Sequence, residues 1–312
     1  MAKLAPEDPY VKLASADQLA QHIPTLDIFD AGQPDADRLR QRASEAEASA
    51  LSVDGITNSD GGNAGHGVVD VLIATSNGFF AGYQRSSHGV SAVVIAEKNG
   101  QMERDYDYSS AVFETDLDAA NAIGKSAAKR TLERLGASKA KTGKFPVIYD
   151  RRVAASLVST VASAINGAAV ARGTSFLKDQ LGKKIAADGL HFIDDPLRPR
   201  GMGSRPFDAE GCPVQTRKMV EDGVLQGWFL DLSSAAKLGL SSMGNAKRSL
   251  GSAPNPGSSN FYLENGIIDR GDLIADIEEG FLVTELMGSS VDMITGDYSR
   301  GAGGFWLSLI HI

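Results

Sequence analysis

This sequence is poor in cysteine, in histidine and in positive charge. A single cysteine, Cys212, stands among 312 residues. One thiol forms no internal disulfide and supplies no paired-thiolate zinc site, so Cys212 reads first as a small packing residue. The five histidines are His22, His66, His88, His191 and His311. None stands in a His-Glu-x-x-His pattern or a relaxed form of it, the spacing that brings metal ligands onto one helix face. The formal net charge of −8 speaks against a general nucleic-acid binder, because phosphate neutralisation needs clustered Lys and Arg. The basic runs KSAAKR and SKAKTGK are short and read as solvated.

Long apolar runs are missing too. No window approaches the roughly 18 apolar residues that a membrane-spanning helix needs. The opening MAKLAPEDPYVKLAS has neither a secretory nor a transit pattern, so a cytoplasmic location is the expectation. There is no Gly-x-Ser-x-Gly elbow and no Walker loop. The Gly-rich stretches GLSSMGNAKRS and SRGAGG read as tight turns and close backbone approaches rather than phosphate cradles.

What is present is ordinary for a globular chain, with 42% hydrophobic and 22% charged residues. The length suits one large or two ordinary domains. DADRLRQRASEAEASAL places Leu39, Ala43, Ala46, Ala50 and Leu51 near one helical face, with a start at Asp35 or Asp37. Beyond it, β-branched and aromatic residues broken by Asn77-Gly78 and Asn99-Gly100 predict an antiparallel meander, with strands at Val68–Thr75, Phe79–Ser87, Ser91–Glu97 and Gln101–Ser109. In RDYDYS, alternation sends Asp105 and Asp107 to one face and Tyr106 and Tyr108 to the other. Two acids on one face suit either a solvated strand or a catalytic carboxylate pair.

A helix over Asp116–Leu135, stopped by Gly136, is followed by a short buried strand in GKFPVIYD. The Ala-rich segment from Arg151 predicts one helix to about Ile165 and another over Ser175–Leu181. Asp222-Gly223 marks a hairpin, SSAAKLGL a short helix, Asn260–Glu264 a strand, and RGDLIADIEEGFLVTELMG a helix running into a strand. The fold class is α+β: an N-terminal antiparallel meander with helices over 1–140, and a mostly β C-terminal domain with an Ala-rich helix over 141–306.

The most unusual stretch is ELMGSSVDMITGDYSRGAGGFW. Its glycines let another backbone approach, and its aromatics offer apolar anchors, a combination suited to an extended peptide or a partner surface. Gly296, Asp297, Tyr298, Ser299, Arg300, Gly301 and Gly303 are the candidate substrate or interface residues. Asp297 and Arg300 are read as pairing with each other, with substrate termini, or simply as holding the loop in shape.

Together with SNGFFAGYQRSSHGVSAVVIA, MERDYDYS, FDAEGCPVQ and GNAKRS, that stretch resembles the TldD/TldE (PmbA) family of modulators of DNA gyrase and peptidases, on its TldE side, from about Pro6 to Trp306. The resemblance implies a PmbA/TldD-like fold. It also implies two kinds of subunit, one bearing a His-Glu-x-x-x-His zinc helix. The matching segment here, Leu157–Ala162, reads LVSTVA and has neither His nor Glu. By that resemblance the chain is a non-catalytic TldE-type subunit with no cofactor of its own, and zinc is expected in a TldD-like partner. The implied assembly is a heterodimer that admits extended peptides, the family's substrates being peptide-antibiotic precursors and an antitoxin. A stand-alone homodimeric peptide binder is the alternative. Compared with the family, the chain is expected to begin inside the first domain, and Leu307–Ile312, LSLIHI, is expected to be a non-native tail.

Overall fold

The computed structural model describes residues 7–288 and 291–308. The first helix, α1 (Ala36–Leu51), begins where Asp35 accepts a hydrogen bond from the Arg38 amide, so a carboxylate satisfies a free N–H of the first turn. Ala46 and Ala50 are its buried residues, and Leu51 stays 44% exposed. Small residues face inward because α1 lies in backbone contact with its neighbours. A Cβ at Gly124 would overlap the Ala46 carbonyl, and one at Gly62 would overlap the Ala43 carbonyl.

Three strands, not four, build the N-terminal sheet: β1 (Ile56–Ala74), β2 (Phe80–Lys98) and β3 (Gln101–Ala111), antiparallel in that order. The two strands expected at Phe79–Ser87 and Ser91–Glu97 are one continuous β2. Gly89 does not interrupt it, since it pairs with Gly65 on one side and Ser110 on the other. Burial alternates across that point through Ser86, His88, Val90, Ala92, Val94 and Ala96, so the buried face holds the register. β1 also starts well before Val68, in the polar, glycine-rich ITNSDGGNAGHG run, which looks like a loop and is held by pairing with β2. Helix α2 (Ala120–Glu133) joins α1 over the buried face, where Val90, Val94, Ile123 and Ala127 form the core.

Asn99 and Gly100 both take positive φ, 53° and 78°, as a type I′ turn requires, and so do Asp222 and Gly223 at 49° and 75°. At the β1–β2 turn only Gly78 does, at 96°. There the Gly78 amide donates to the Thr75 carbonyl and the Thr75 amide to the Phe79 carbonyl, which makes a wider turn closed by a glycine bulge.

On the inner side of this hairpin His88 is fully buried, its ring 4.6 Å from that of His66 and its Nε2 3.4 Å from Asp30. Burial, with the neighbouring His66, lowers the His88 pKa against the pull of Asp30 and Glu114. A base with a depressed folded pKa stabilises the fold above its unfolded value of about 6.5, and that contribution is lost as pH falls below it. The stability of the protein therefore declines in this window, and His88→Gln flattens the decline. Urea titrations at a series of pH values check this.

The C-terminal part opens with β4 (Val147–Tyr149), which pairs in parallel with β11 (Glu279–Met287); β11 pairs antiparallel with β12 (Gly301–Ser308). β4 is an edge strand rather than a buried one, with Val147 half exposed. Asp150 caps α3 (Arg151–Ala164). The helix expected over Ser175–Leu181 is absent. Asn166 instead caps a short α4 (Gly167–Ala171), Gly173 leaves it at φ 74°, and the Ser175 hydroxyl donates to the Ala164 carbonyl while accepting from the Leu177 amide. Such local side-chain bonds compete with helix formation.

A second sheet runs β10 (Phe261–Leu263), β5 (Phe192–Asp194), β6 (Arg217–Glu221), β7 (Val224–Leu225). Its core of Ile165, Met219, Val220, Leu225, Trp228 and Phe229 packs against α3 and α5 (Leu232–Leu238). The ribbon of β8 (Ala246–Lys247) with β9 (Asn255–Pro256) and the short α6 (Arg270–Ala275) complete the fold. Of the expected tail, Leu307 and Ser308 close β12 opposite Gly280 and Glu279, and residues 309–312 lie outside the described residues. Among the described residues no helix is long and apolar enough to cross a membrane.

Candidate functional site

The loop before β12 is shaped by its own polar atoms. Asp292 accepts from the amides of Ile294 and Thr295, and its amide donates to the Asp297 carbonyl at 2.9 Å. The Thr295 hydroxyl donates to Asp297 Oδ2 at 2.8 Å. Asp297 thus holds the loop and makes no ion pair with Arg300. Gly296 takes φ 84° and sits against the Phe176 ring, while the Phe176 amide donates to the Met293 carbonyl. Val291 bridges to Tyr298.

Tyr298 meets Tyr149 of β4. Burial pushes the Tyr149 phenol up to about 12, reinforced by its bond with Tyr298 and opposed by Arg300. Ser299 is exposed. Gly301 and Gly303 belong to β12, opposite Met287 and Glu285, where an irregularity in the β11 register falls between Val283 and Glu285.

Arg300 turns the other way, into a cavity of about 310 Å³ that also takes in Arg104 and Asp105 of β3, Arg134 of α2, Arg152 of α3 and Glu285 of β11. Arg152 grips Asp105 with two bonds, at 2.8 and 3.3 Å, and donates to the Tyr106 carbonyl at 2.8 Å. Its guanidinium lies 4.9 Å over the Tyr106 ring. Arg134 reaches Glu285 at 2.6 Å, Glu103 at 3.1 Å and Asp105 at 3.6 Å. Asp107 pairs with Arg130 at 3.8 Å.

Neither acid of the RDYDYS run is a free catalytic carboxylate, since each is an arginine's counter-ion. Burial works to raise the Asp105 carboxyl, but the Arg152 bonds, the Tyr106 amide and the charge of Arg134 hold it below the ordinary range. On the opposite face Tyr106 and Tyr108 stack with centroids 6.2 Å apart. Tyr106 also borders a wider concavity of about 670 Å³ that runs over the strand sheet past His66, His88 and Ser109.

The predicted loop residues are thus split by the fold: Asp297 and Gly296 shape the turn, Tyr298 anchors it, and Arg300 alone reaches the cavity. Sequence reasoning missed Arg104, Arg134, Arg152 and Glu285, which are unremarkable on their own helices and strands and meet only through the tertiary arrangement.

The segment that the family resemblance aligns with a partner's zinc helix lies on α3. At Leu157–Ala162 the Ser159 and Thr160 hydroxyls bond back to the Ala155 and Ser156 carbonyls, and the rest is aliphatic. Among the described residues no three His, Cys, Asp or Glu side chains converge as a metal site. These residues do not fit a zinc ion, and no step through one is assigned to this chain. Cys212 is buried, its thiol pushed up to about 12 by that burial, which suits packing and not nucleophilic attack.

The model of the PmbA/TldA metallopeptidase C-terminal domain matches residues 142–308, and that of the central domain matches residues 29–135. The chain is 39% identical over 310 residues to Metalloprotease PmbA of Escherichia coli O157:H7, covering 98% of this chain and 66% of that protein. It is 34% identical over 311 residues to the Metalloprotease PmbA homolog of Haemophilus influenzae, with coverage of 98% and 66%. It therefore spans about 66% of the length of these relatives.

Among solved structures, a Bacteroides thetaiotaomicron protein described as a modulator of DNA gyrase superposes with a TM-score of 0.89 at 29% identity, covering 98% of this chain and 68% of that one. TldE from Thermococcus kodakarensis superposes at 0.86 with 23% identity, covering 99% and 70%, a likeness of fold alone.

Proposed function

This chain belongs to the PmbA/TldD metallopeptidase family, and from that premise we propose that it is a non-catalytic, TldE-type subunit. It receives extended peptides and presents them to the zinc of a TldD-like partner in a heterodimer. The observation that carries this reading is the face of α3 at Leu157–Ala162, where aliphatic and self-bonded hydroxyl side chains stand in place of metal ligands. The word metalloprotease in the relatives' names describes those proteins; here the metal chemistry is assigned to the partner.

Peptide reception is supported by β12. In its sheet it stands at the edge with β11 as its only neighbour among the described strands, and its sequence runs Gly-Ala-Gly-Gly before the aromatics. An edge strand offers unpaired N–H and C=O groups to which an extended peptide adds by main-chain hydrogen bonds. The small side chains let that peptide come close.

Size-exclusion chromatography with metal analysis tests the assignment. The expected result is a one-to-one complex with a TldD-like subunit in which the zinc follows that subunit, the isolated chain carrying none in stoichiometric amount. Because the edge and the cavity both lie within this chain, a stand-alone homodimeric peptide binder is the second reading. A stable homodimer that binds peptide and ignores the TldD-like subunit would replace the first reading with it.

A further inference from the structure

The cavity behind the loop holds an arginine that pairs with no acid among the described residues. Arg104 pairs with Asp60 at 2.7 Å, Arg134 with Glu103 and Glu285, and Arg152 with Asp105. The two carboxylates that line the cavity, Asp105 and Glu285, are therefore each engaged by one of these three. Arg300 is half-buried, pairs with no acid among the described residues, and has its Nε shielded from solvent without a hydrogen-bond acceptor. The Arg152 Nε is shielded and unpartnered in the same way. A shielded guanidinium N–H lacking an acceptor is unfavourable, and a planar anion that accepts from the guanidinium fork removes that penalty.

We propose that this cavity binds the C-terminal carboxylate of an extended peptide through Arg300. The charge of the ligand follows from the lining. One guanidinium is unneutralised, and Asp105 and Glu285 stand in the same wall, so a singly charged carboxylate fits where a phosphate dianion would be repelled. Arg300 stands immediately before Gly301, the first residue of β12. A peptide strand running antiparallel along β12 brings its own C-terminus to that end. The assignment rests on the peptide-receiving reading above and adds to it a polarity and a terminal group.

The test is fluorescence anisotropy of this chain with three labelled versions of one unstructured peptide without acidic residues: the free acid, the C-terminal amide, and an amide carrying an internal glutamate. The free acid is expected to bind about tenfold more tightly than either amide, a difference of about 1.4 kcal/mol. Arg300→Gln abolishes the difference, and Arg300→Lys, which keeps the charge but lacks the fork, restores only part of it. A thermal melt confirms that the variants are folded, and the comparison of peptides on the unaltered chain stands even if they are not. Equal binding of acid and plain amide overturns this inference alone. Tight binding of the glutamate amide overturns the assignment to the terminus, and failure of all three to bind overturns the peptide-receiving reading with it.

Discussion

Replacing Arg152 with methionine lowers the stability of this protein by about 3–5 kcal/mol, the range found when one partner of a buried ion pair is removed. Arg152 is 9% exposed and Asp105 is 6% exposed, and the two share paired hydrogen bonds. Removing the guanidinium strands a buried carboxylate that retains only the more distant charge of Arg134, at 3.6 Å. It also frees the Tyr106 carbonyl that Arg152 now covers. The urea midpoint is expected to fall with an unchanged slope.

Adding Asp105→Asn is expected to recover part of the loss, because the stranded charge is then gone. The same pair carries a pH signature. A carboxyl whose folded pKa is depressed contributes stability that is present above its unfolded value and lost as pH falls through the folded one. That acid-limb contribution is absent in the Asp105→Asn variant. A loss below about 1 kcal/mol on replacing Arg152 would show that the contact between β3 and α3 does not join the two halves of the cavity.

Gly304→Val is expected to cost about 3 kcal/mol and to weaken peptide binding more than tenfold, the upper range of overpacking costs. At Gly304 a Cβ would overlap the Leu282 carbonyl oxygen, with the carbonyl carbon at 2.9 Å and the Val283 Cα at 3.0 Å. These are backbone atoms of the partner strand, so only displacement of β12 relieves the clash. The neighbouring glycines provide the contrast. At Gly303 the nearest atom is the movable Glu285 carboxylate at 3.3 Å, and at Gly301 the Met287 Cβ lies at 3.4 Å. Alanine at either position is expected to change stability by less than about 1 kcal/mol. Comparable losses at all three positions in chemical denaturation would mean that the strand tolerates no side chain at all.

Features with a local cause were readable from the sequence: the Asp35 cap of α1, the paired positive φ values at Asn99-Gly100 and Asp222-Gly223, and the helix-to-strand passage into β11. The first half of β1 was not, because a strand rich in Gly, Asn and Asp owes its shape to β2 beside it and α1 above it. Nor was the loss of a helix at Ser175–Leu181, where a serine hydroxyl outcompetes the 3.6-residue pattern.

The site divides the same way. The glycines and aromatics of the last loop were visible. The roles of Asp297 and Arg300 were not, since one is taken by Thr295 and Asp292 two and five residues away, and the other by a cavity assembled from β3, α2, α3 and β11.

The central claim is that this chain receives peptide and leaves the chemistry to a partner. The most direct measurement is cleavage of an unfolded model peptide by the purified chain, by a TldD-like subunit and by their mixture, each with and without a zinc chelator. The account predicts cleavage by the mixture, abolished by the chelator, and none by this chain alone. Cleavage by the purified chain alone would contradict it, and the face of α3 at Leu157–Ala162 would no longer mark a subunit without a metal centre.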